Sequence, residues 1–133
     1  MPTTNYILTL TCPDQPGIVH AVSGALLGIE ANIVETEQFS DPDSGRFCMR
    51  TEFQADRDSI SEVRAVVGPA LETFGLWNIR YATVRPRVLV LVSKFDHCLA
   101  DLLYRWRSGQ LPIEIAVIAS NHLDCSVWAA RYD

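Results

Sequence analysis

Apolar residues change their rhythm at Arg85-Pro86-Arg87, and one layered sheet cannot accommodate both sides of that change. Ahead of it, strand-like segments alternate polar and apolar, which marks strands with one wet face. Tyr6, Leu8 and Leu10 share a face over residues 6–11, and Phe47, Met49, Thr51 and Phe53 do so over residues 46–54. Residues 32–39 are rich in β-branched side chains, and Trp77, Ile79 and Tyr81 share a face in residues 77–84. Between them the period becomes helical. Ile18, Val22, Leu26 with Ala25 and Ile29 predict a helix over 17–30, entered after Cys12-Pro13-Asp14-Gln15-Pro16-Gly17 breaks the first strand. Ile60, Val63, Val67, Leu71 and Phe74 predict a second, capped by Asp58 or Ser59, kinked or split at Gly68-Pro69 and ended by Gly75. Residues 41–45 read as a hairpin loop. The order β-α-β-β-α-β with one polar face per strand predicts an α+β, ferredoxin-like sandwich over residues 1–84, an antiparallel sheet carrying both helices on one side.

Past the joint at 85–87 the pattern differs in kind. Val88 to Val92 is continuously apolar, as in a parallel strand covered on both faces. A helix with Leu99, Leu102, Leu103 and Trp106 inward and an apolar strand over 113–118 complete a βαβ crossover, with residues 126–132 able to open another helix. A lone βαβ unit cannot bury both faces of its sheet, so residues 88–133 are expected to be the incomplete opening of an α/β domain that leans on the first domain, another subunit or further chain.

Composition narrows the function. A formal charge of -5 argues against a nucleic-acid surface, and no apolar run is long enough to cross a bilayer. No basic-then-apolar leader pattern opens the chain, so a cytoplasmic protein is expected, with Cys12, Cys48, Cys98 and Cys125 as reduced thiols.

The most informative local feature is Asp14-Gln15-Pro16-Gly17 at the mouth of the first helix. Unpaired N–H groups there suit a carboxylate, Gly17 admits close approach, Asp14 can hold an ammonium group, and Asn32 can add an amide. Together they fit a free amino acid; a plain turn with a cap is the competing reading. His97-Cys98 is a poor nucleophile–base pair, since helix neighbours point about 100° apart. Cys98, His122 and Cys125 match no four-ligand metal spacing, so no metal site is expected. Asn121-His122 ends a parallel strand, where α/β sheets place ligands, yet a strand end and cap accounts for it as well. Arg105 and Arg107 beside Trp106 suit a polar helix face better than a phosphate site, and Ser93-Lys94-Phe95-Asp96 lacks the glycine of a phosphate loop.

Two sets of residues carry a resemblance. Pro13 through Val19, Asn32-Ile33 and Gly45 through Arg50 resemble the ACT domain that begins formyltetrahydrofolate deformylases. Arg85 through Leu99, Asp101 through Trp106, Leu111 through Ile115 and Ser120-Asn121-His122 resemble the junction and first crossover of that family's formyltransferase-like domain. The resemblance implies hydrolysis of formyltetrahydrofolate to tetrahydrofolate and formate, feeding purine biosynthesis, with the folate as substrate and no cofactor. It implies an amino-acid effector held between ACT subunits near Asp14, Gly17, Ile18, Asn32 and Ile33, and hence a homo-oligomer. The family's catalytic Asn, His and Asp belong to later motifs, and Asn121-His122 are not among them. Leu123 also replaces the usual proline. The expectation is a truncated deformylase with no catalytic residue of its own, inactive alone; the alternative is a non-catalytic amino-acid-binding regulatory or interaction module.

Overall fold

The computed structural model of the protein describes residues 3–132, which divide into two compact units at Val84/Arg85. In the first, β1 (Thr4–Pro13), α1 (Ile18–Leu27), β2 (Asn32–Asp41), β3 (Arg46–Ala55), α2 (Ile60–Glu72) and β4 (Leu76–Tyr81) follow one another, giving the βαββαβ order. The four strands form one antiparallel sheet in the order β2-β3-β1-β4. Tyr6, Leu8, Leu10 and Cys12 of β1 and Phe47, Met49 and Phe53 of β3 face Ile18, Val22, Leu26, Val63, Val67 and Leu71 of the helices in one core. The alternation in sequence is thus the alternation between that core and the opposite, open sheet face.

Several local expectations shift. β1 runs through Cys12 to Pro13, where a missing N–H costs nothing because the strand ends there. Ser59, not Asp58, caps α2 by accepting from the Glu62 N–H at 3.4 Å. α2 is one helix through Gly68 and Pro69 and is not split. Pro69 and Ala65, whose carbonyl loses its partner, both lie on the exposed side, where water substitutes. β2 is exposed along nearly its whole length instead of half-buried, because it is an outer strand whose side chains lie beyond the core under the two helices, with a register shift between Ile33 and Glu35. β4 stops at Tyr81, where the Val84 N–H bonds back to the Tyr81 carbonyl at 3.2 Å.

α1 stops at Leu27, short of the expected 30, and closes with the Glu30 N–H on the Leu27 carbonyl (2.9 Å) and the Ala31 N–H on the Leu26 carbonyl (3.0 Å). That closure needs a left-handed residue, and Glu30 supplies it at φ 57°. A β-carbon is disfavoured there, and a carboxylate opposes the helix C-terminus. Glu30→Gly is therefore expected to stabilise the first unit by about 1 kcal/mol, read as a rise in the urea midpoint at unchanged slope; an unchanged midpoint would contradict this account.

The second unit holds β5 (Arg87–Val92), α3 (His97–Arg107), β6 (Glu114–Ser120), a 3-10 turn (Leu123–Cys125) and α4 (Ser126–Tyr132). β5 begins inside the stretch that reads as a joint. It pairs with β6 in parallel, as the crossover pattern predicts. Val90, Leu99, Leu103 and Cys125 are buried, with Val88, Val92, Trp106, Ile115 and Ile118 packed around them. Leu102 is not inward: it sits at the rim of α3, partly exposed. The expected burial of both strand faces is not found among the described residues. Leu89, Leu91 and Val117 point away from the core and are more than half exposed, because a single crossover covers one side of a two-stranded sheet.

Candidate functional site

At the amino end of α1, Gly17 adopts φ 92°, a left-handed conformation that glycine takes without strain, and no side chain caps the helix. Asp14 is exposed, and its N–H bonds to the Gly45 carbonyl at 2.9 Å, tying the loop to the β2–β3 hairpin. Asp41 organises that hairpin by accepting from the Ser44 hydroxyl and from the Asp43 N–H at 3.2 Å, which holds its carboxyl below the usual range. Ile18 is buried in the core, so only its backbone is available to a ligand. Gly17 and Asp14 thus leave an uncapped helix start beside an exposed carboxylate.

Asn32 and Ile33 lie elsewhere. Pro13 pairs with Arg46 at one end of β3, whereas Asn32 pairs with Gln54 at the other. Eight residues of strand separate these positions, about 26 Å at ~3.3 Å per residue. Within one chain, then, Asn32 and Ile33 do not join Asp14, Gly17 and Ile18, and one site using all five needs more than one copy.

The carboxyl end of the parallel pair opens into a cleft of about 440 Å3 lined by Leu91, Val92, Ser93, Ala119, Ser120 and Asn121. Its position outside the strand ends is where open α/β sheets bind ligands. His122 is exposed beside it, its N–H on the Ser120 hydroxyl at 3.0 Å. Below, the Cys125 thiol donates to the Ser93 carbonyl at 3.4 Å, and the Trp128 indole donates to Asp96 at 2.6 Å. Burial, together with the Asp96 and Asp124 carboxylates, pushes the Cys125 thiol up, so it acts as a buried donor rather than a nucleophile. Cys98 is exposed on α3, and no cluster of metal-ligating side chains occurs among the described residues. Arg105 pairs with Asp101 at 2.9 Å one turn away, and the Trp106 indole donates to the Ile113 carbonyl at 3.1 Å. Both side chains are committed to the helix and its return loop.

A second cleft, about 490 Å3, goes unnoticed in the sequence. Glu30, Asp56, Arg57, Asp58, Ser59 and Glu62 line it. Its signal is the charged run following β3, and its geometry depends on Tyr6 and Tyr81, whose hydroxyls donate to the Arg57 and Asp58 carbonyls.

No family model matches the chain. It is 43% identical over 122 residues to a formyltetrahydrofolate deformylase of Corynebacterium sp., which covers 90% of this chain and 43% of that protein. Among solved structures, a formyltetrahydrofolate deformylase from Pseudomonas putida superposes with a TM-score of 0.71 at 37% identity, over 97% of this chain and 47% of that one. An ACT domain protein from Streptococcus pneumoniae matches 60% of the chain and 91% of its own length at TM-score 0.54 and 24% identity, a likeness of fold. The chain spans less than half the length of the deformylases it matches. Among the described residues no helix is long and apolar enough to cross a membrane.

Proposed function

Because this chain is related over nearly its whole length to formyltetrahydrofolate deformylases, we propose that it supplies the effector-sensing unit of such an enzyme and the first crossover of its formyltransferase-type catalytic domain. The reaction of the whole enzyme is hydrolysis of formyltetrahydrofolate to tetrahydrofolate and formate in the cytoplasm, with formate passing to purine synthesis and the folate acting as substrate, not as a resident cofactor. The observation that carries this reading is the match running through both units, across the joint at residues 85–87, and not through the first unit alone.

In this assignment the cleft beside Ser93 and Asn121 forms part of the wall of the folate site. Acyl hydrolysis needs a base for water and donors for the oxyanion. By the resemblance, the family's Asn, His and Asp for those tasks belong to later motifs, so this reading assigns none of them to a residue of these 133. The first unit binds a free amino acid between two copies. Gly17 and the open start of α1 take the carboxylate, Asp14 the ammonium group, and Asn32 and Ile33 of a neighbouring copy complete the site. The 26 Å separation within one chain supports this division of labour.

The test is direct. Purified chain is incubated with formyltetrahydrofolate while tetrahydrofolate is monitored, and titrated with free amino acids by calorimetry. No turnover and saturable binding of one amino acid, lost in Asp14→Ala, are expected. Turnover by this chain would overturn the assignment of chemistry elsewhere. Absence of binding for every amino acid would overturn the sensing role, leaving a purely structural or interaction module.

A further inference from the structure

β4 is an outer strand of the four-stranded sheet, so one of its edges has no neighbouring strand. Its sequence, Leu76 to Tyr81, is one that an extended chain pairs with readily: Leu, Trp, Ile and Tyr in six residues, with one charge and no proline. Which backbone groups face the open edge follows from the register. Antiparallel pairs alternate between residues that exchange backbone bonds and residues whose N–H and C=O turn away. The Ala82 N–H bonds to the Asn5 carbonyl at 2.9 Å, one step beyond the Tyr6–Tyr81 pair. Counting back along β4, Arg80 and Asn78 turn toward β1, and Tyr81, Ile79 and Trp77 turn outward.

Arg64 of α2 meets that edge. Its Nε donates to the Ile79 carbonyl at 3.1 Å. Its Nη2 donates to that carbonyl too, and reaches Asn78 Oδ1 at 3.2 Å. α2 packs on the core face of the sheet, whereas Asn78 lies opposite Thr9, on the other face. A side chain that leaves the helix layer and ends on Asn78 must pass around the outer edge of β4. Burial agrees: Ile79 is 0% exposed although its backbone faces a side with no strand. The next outward carbonyl, that of Tyr81, is also taken, by the Val84 N–H at 3.2 Å and by Arg80 Nη1 at 3.4 Å. Two of the three outward acceptors of β4 are thus occupied from within the first unit.

We propose that Arg64 is a strap that closes the edge of β4 to an incoming extended chain, the hazard being a partly unfolded copy of this protein. Strand addition needs outward carbonyls as acceptors, and at Ile79 an incoming N–H has to displace a charged donor that makes two bonds to one oxygen. The guanidinium also fixes a charge on an edge that otherwise presents the apolar Leu76, 75% exposed. Arginine suits the task because its planar fork bonds a backbone oxygen and a side-chain amide together. This protection is independent of effector binding.

The experiment follows thioflavin T fluorescence and light scattering of the full chain, agitated at a temperature below every melting midpoint. Arg64→Met and Arg64→Gln remove the strap, and Arg64→Lys keeps a charged donor. Arg105→Met on α3 loses the same charge elsewhere. Leu76→Lys and Leu91→Lys are each added to Arg64→Met, the first placing a charge on the β4 edge and the second on β5. All four positions are exposed, and circular dichroism with urea melts checks that each variant folds. Arg64→Met and Arg64→Gln are expected to assemble about tenfold faster than wild type and Arg105→Met, with Arg64→Lys between. Leu76→Lys is expected to restore the wild-type rate, and Leu91→Lys to leave the fast rate unchanged. Equal rates for both strapless variants and Arg105→Met would overturn the strap. So would fast assembly that Leu76→Lys does not slow, or that Leu91→Lys slows as much, since general destabilisation or another surface would then be its source.

Discussion

Gly75→Ala is expected to destabilise the first unit by about 3 kcal/mol, the upper end for overpacking in a tight site. A β-carbon at this position would stand 2.5 Å from the Thr11 carbonyl oxygen, 2.9 Å from the Cys12 β-carbon and 3.1 Å from its α-carbon. These atoms cannot retreat. Thr11 is paired to Cys48 on one side and Leu76 on the other, so displacing it disturbs two ladders at once. Cys12 is buried in the core, where the apolar setting also pushes its thiol up.

Gly68→Ala provides the contrast. Its β-carbon would also lie too close to a neighbour, 2.7 Å from the ring of Trp77. That neighbour is a half-buried side chain that can shift, and alanine inside α2 recovers about 1 kcal/mol of helix propensity. Gly68→Ala is therefore expected to stay within about 1 kcal/mol of wild type. Urea melts of the two variants decide the matter. A Gly75→Ala midpoint equal to wild type would show that the approach of β4 to β1 at this point is not a structural requirement.

Phe53→Ala has an expected cost of about 3–5 kcal/mol, enough to leave much of a marginally stable unit unfolded at 37 °C. Phe53 is fully buried near the carboxyl end of β3 and stacks on Tyr6 with ring centroids 5.4 Å apart and planes 21° from parallel. Tyr6 in turn meets Tyr81 at 5.3 Å. Removing the ring opens a cavity and loosens both tyrosines, whose hydroxyls hold the loop between β3 and α2. The Tyr81 oxygen also accepts the Ile60 N–H at 3.2 Å, so it helps to start α2. Phe53→Leu keeps most of the volume and is expected to lose less than half as much. Equal melting midpoints for Phe53→Ala and wild type would remove the aromatic trio from the account of stability.

Much of the first unit was legible in the chain because the face on which a side chain emerges is a local property. Tyr6, Leu8 and Leu10 point one way in any strand that contains them, and Ile18, Val22 and Leu26 align in any helix. A cap at Asp58 or Ser59 and Asn121 at a strand end could be placed for the same reason, although only the fold chose Ser59. Leu102 could not: Leu99 and Leu103 define the buried line of α3, and the adjacent position falls on the core or the rim according to how the helix rolls on its sheet. The candidate effector site was legible in its residue types and not in its assembly. Asp14 and Asn32 are 18 residues apart in sequence, yet α1 carries the chain back along the sheet and leaves them at opposite ends of it.

What the amino-acid order settled by itself was the succession of strands and helices and the inward side of β1, β3, α1 and α2, since these follow from periodicity within a few turns of chain. Only tertiary structure decided that β2 and β4 are the outer strands, that Gly75 must lack a side chain, and that the Ile79 carbonyl turns outward to meet Arg64. Those outcomes depend on which distant strands pair and in what register, and pairing energy is spread over many residues that no short stretch of sequence contains.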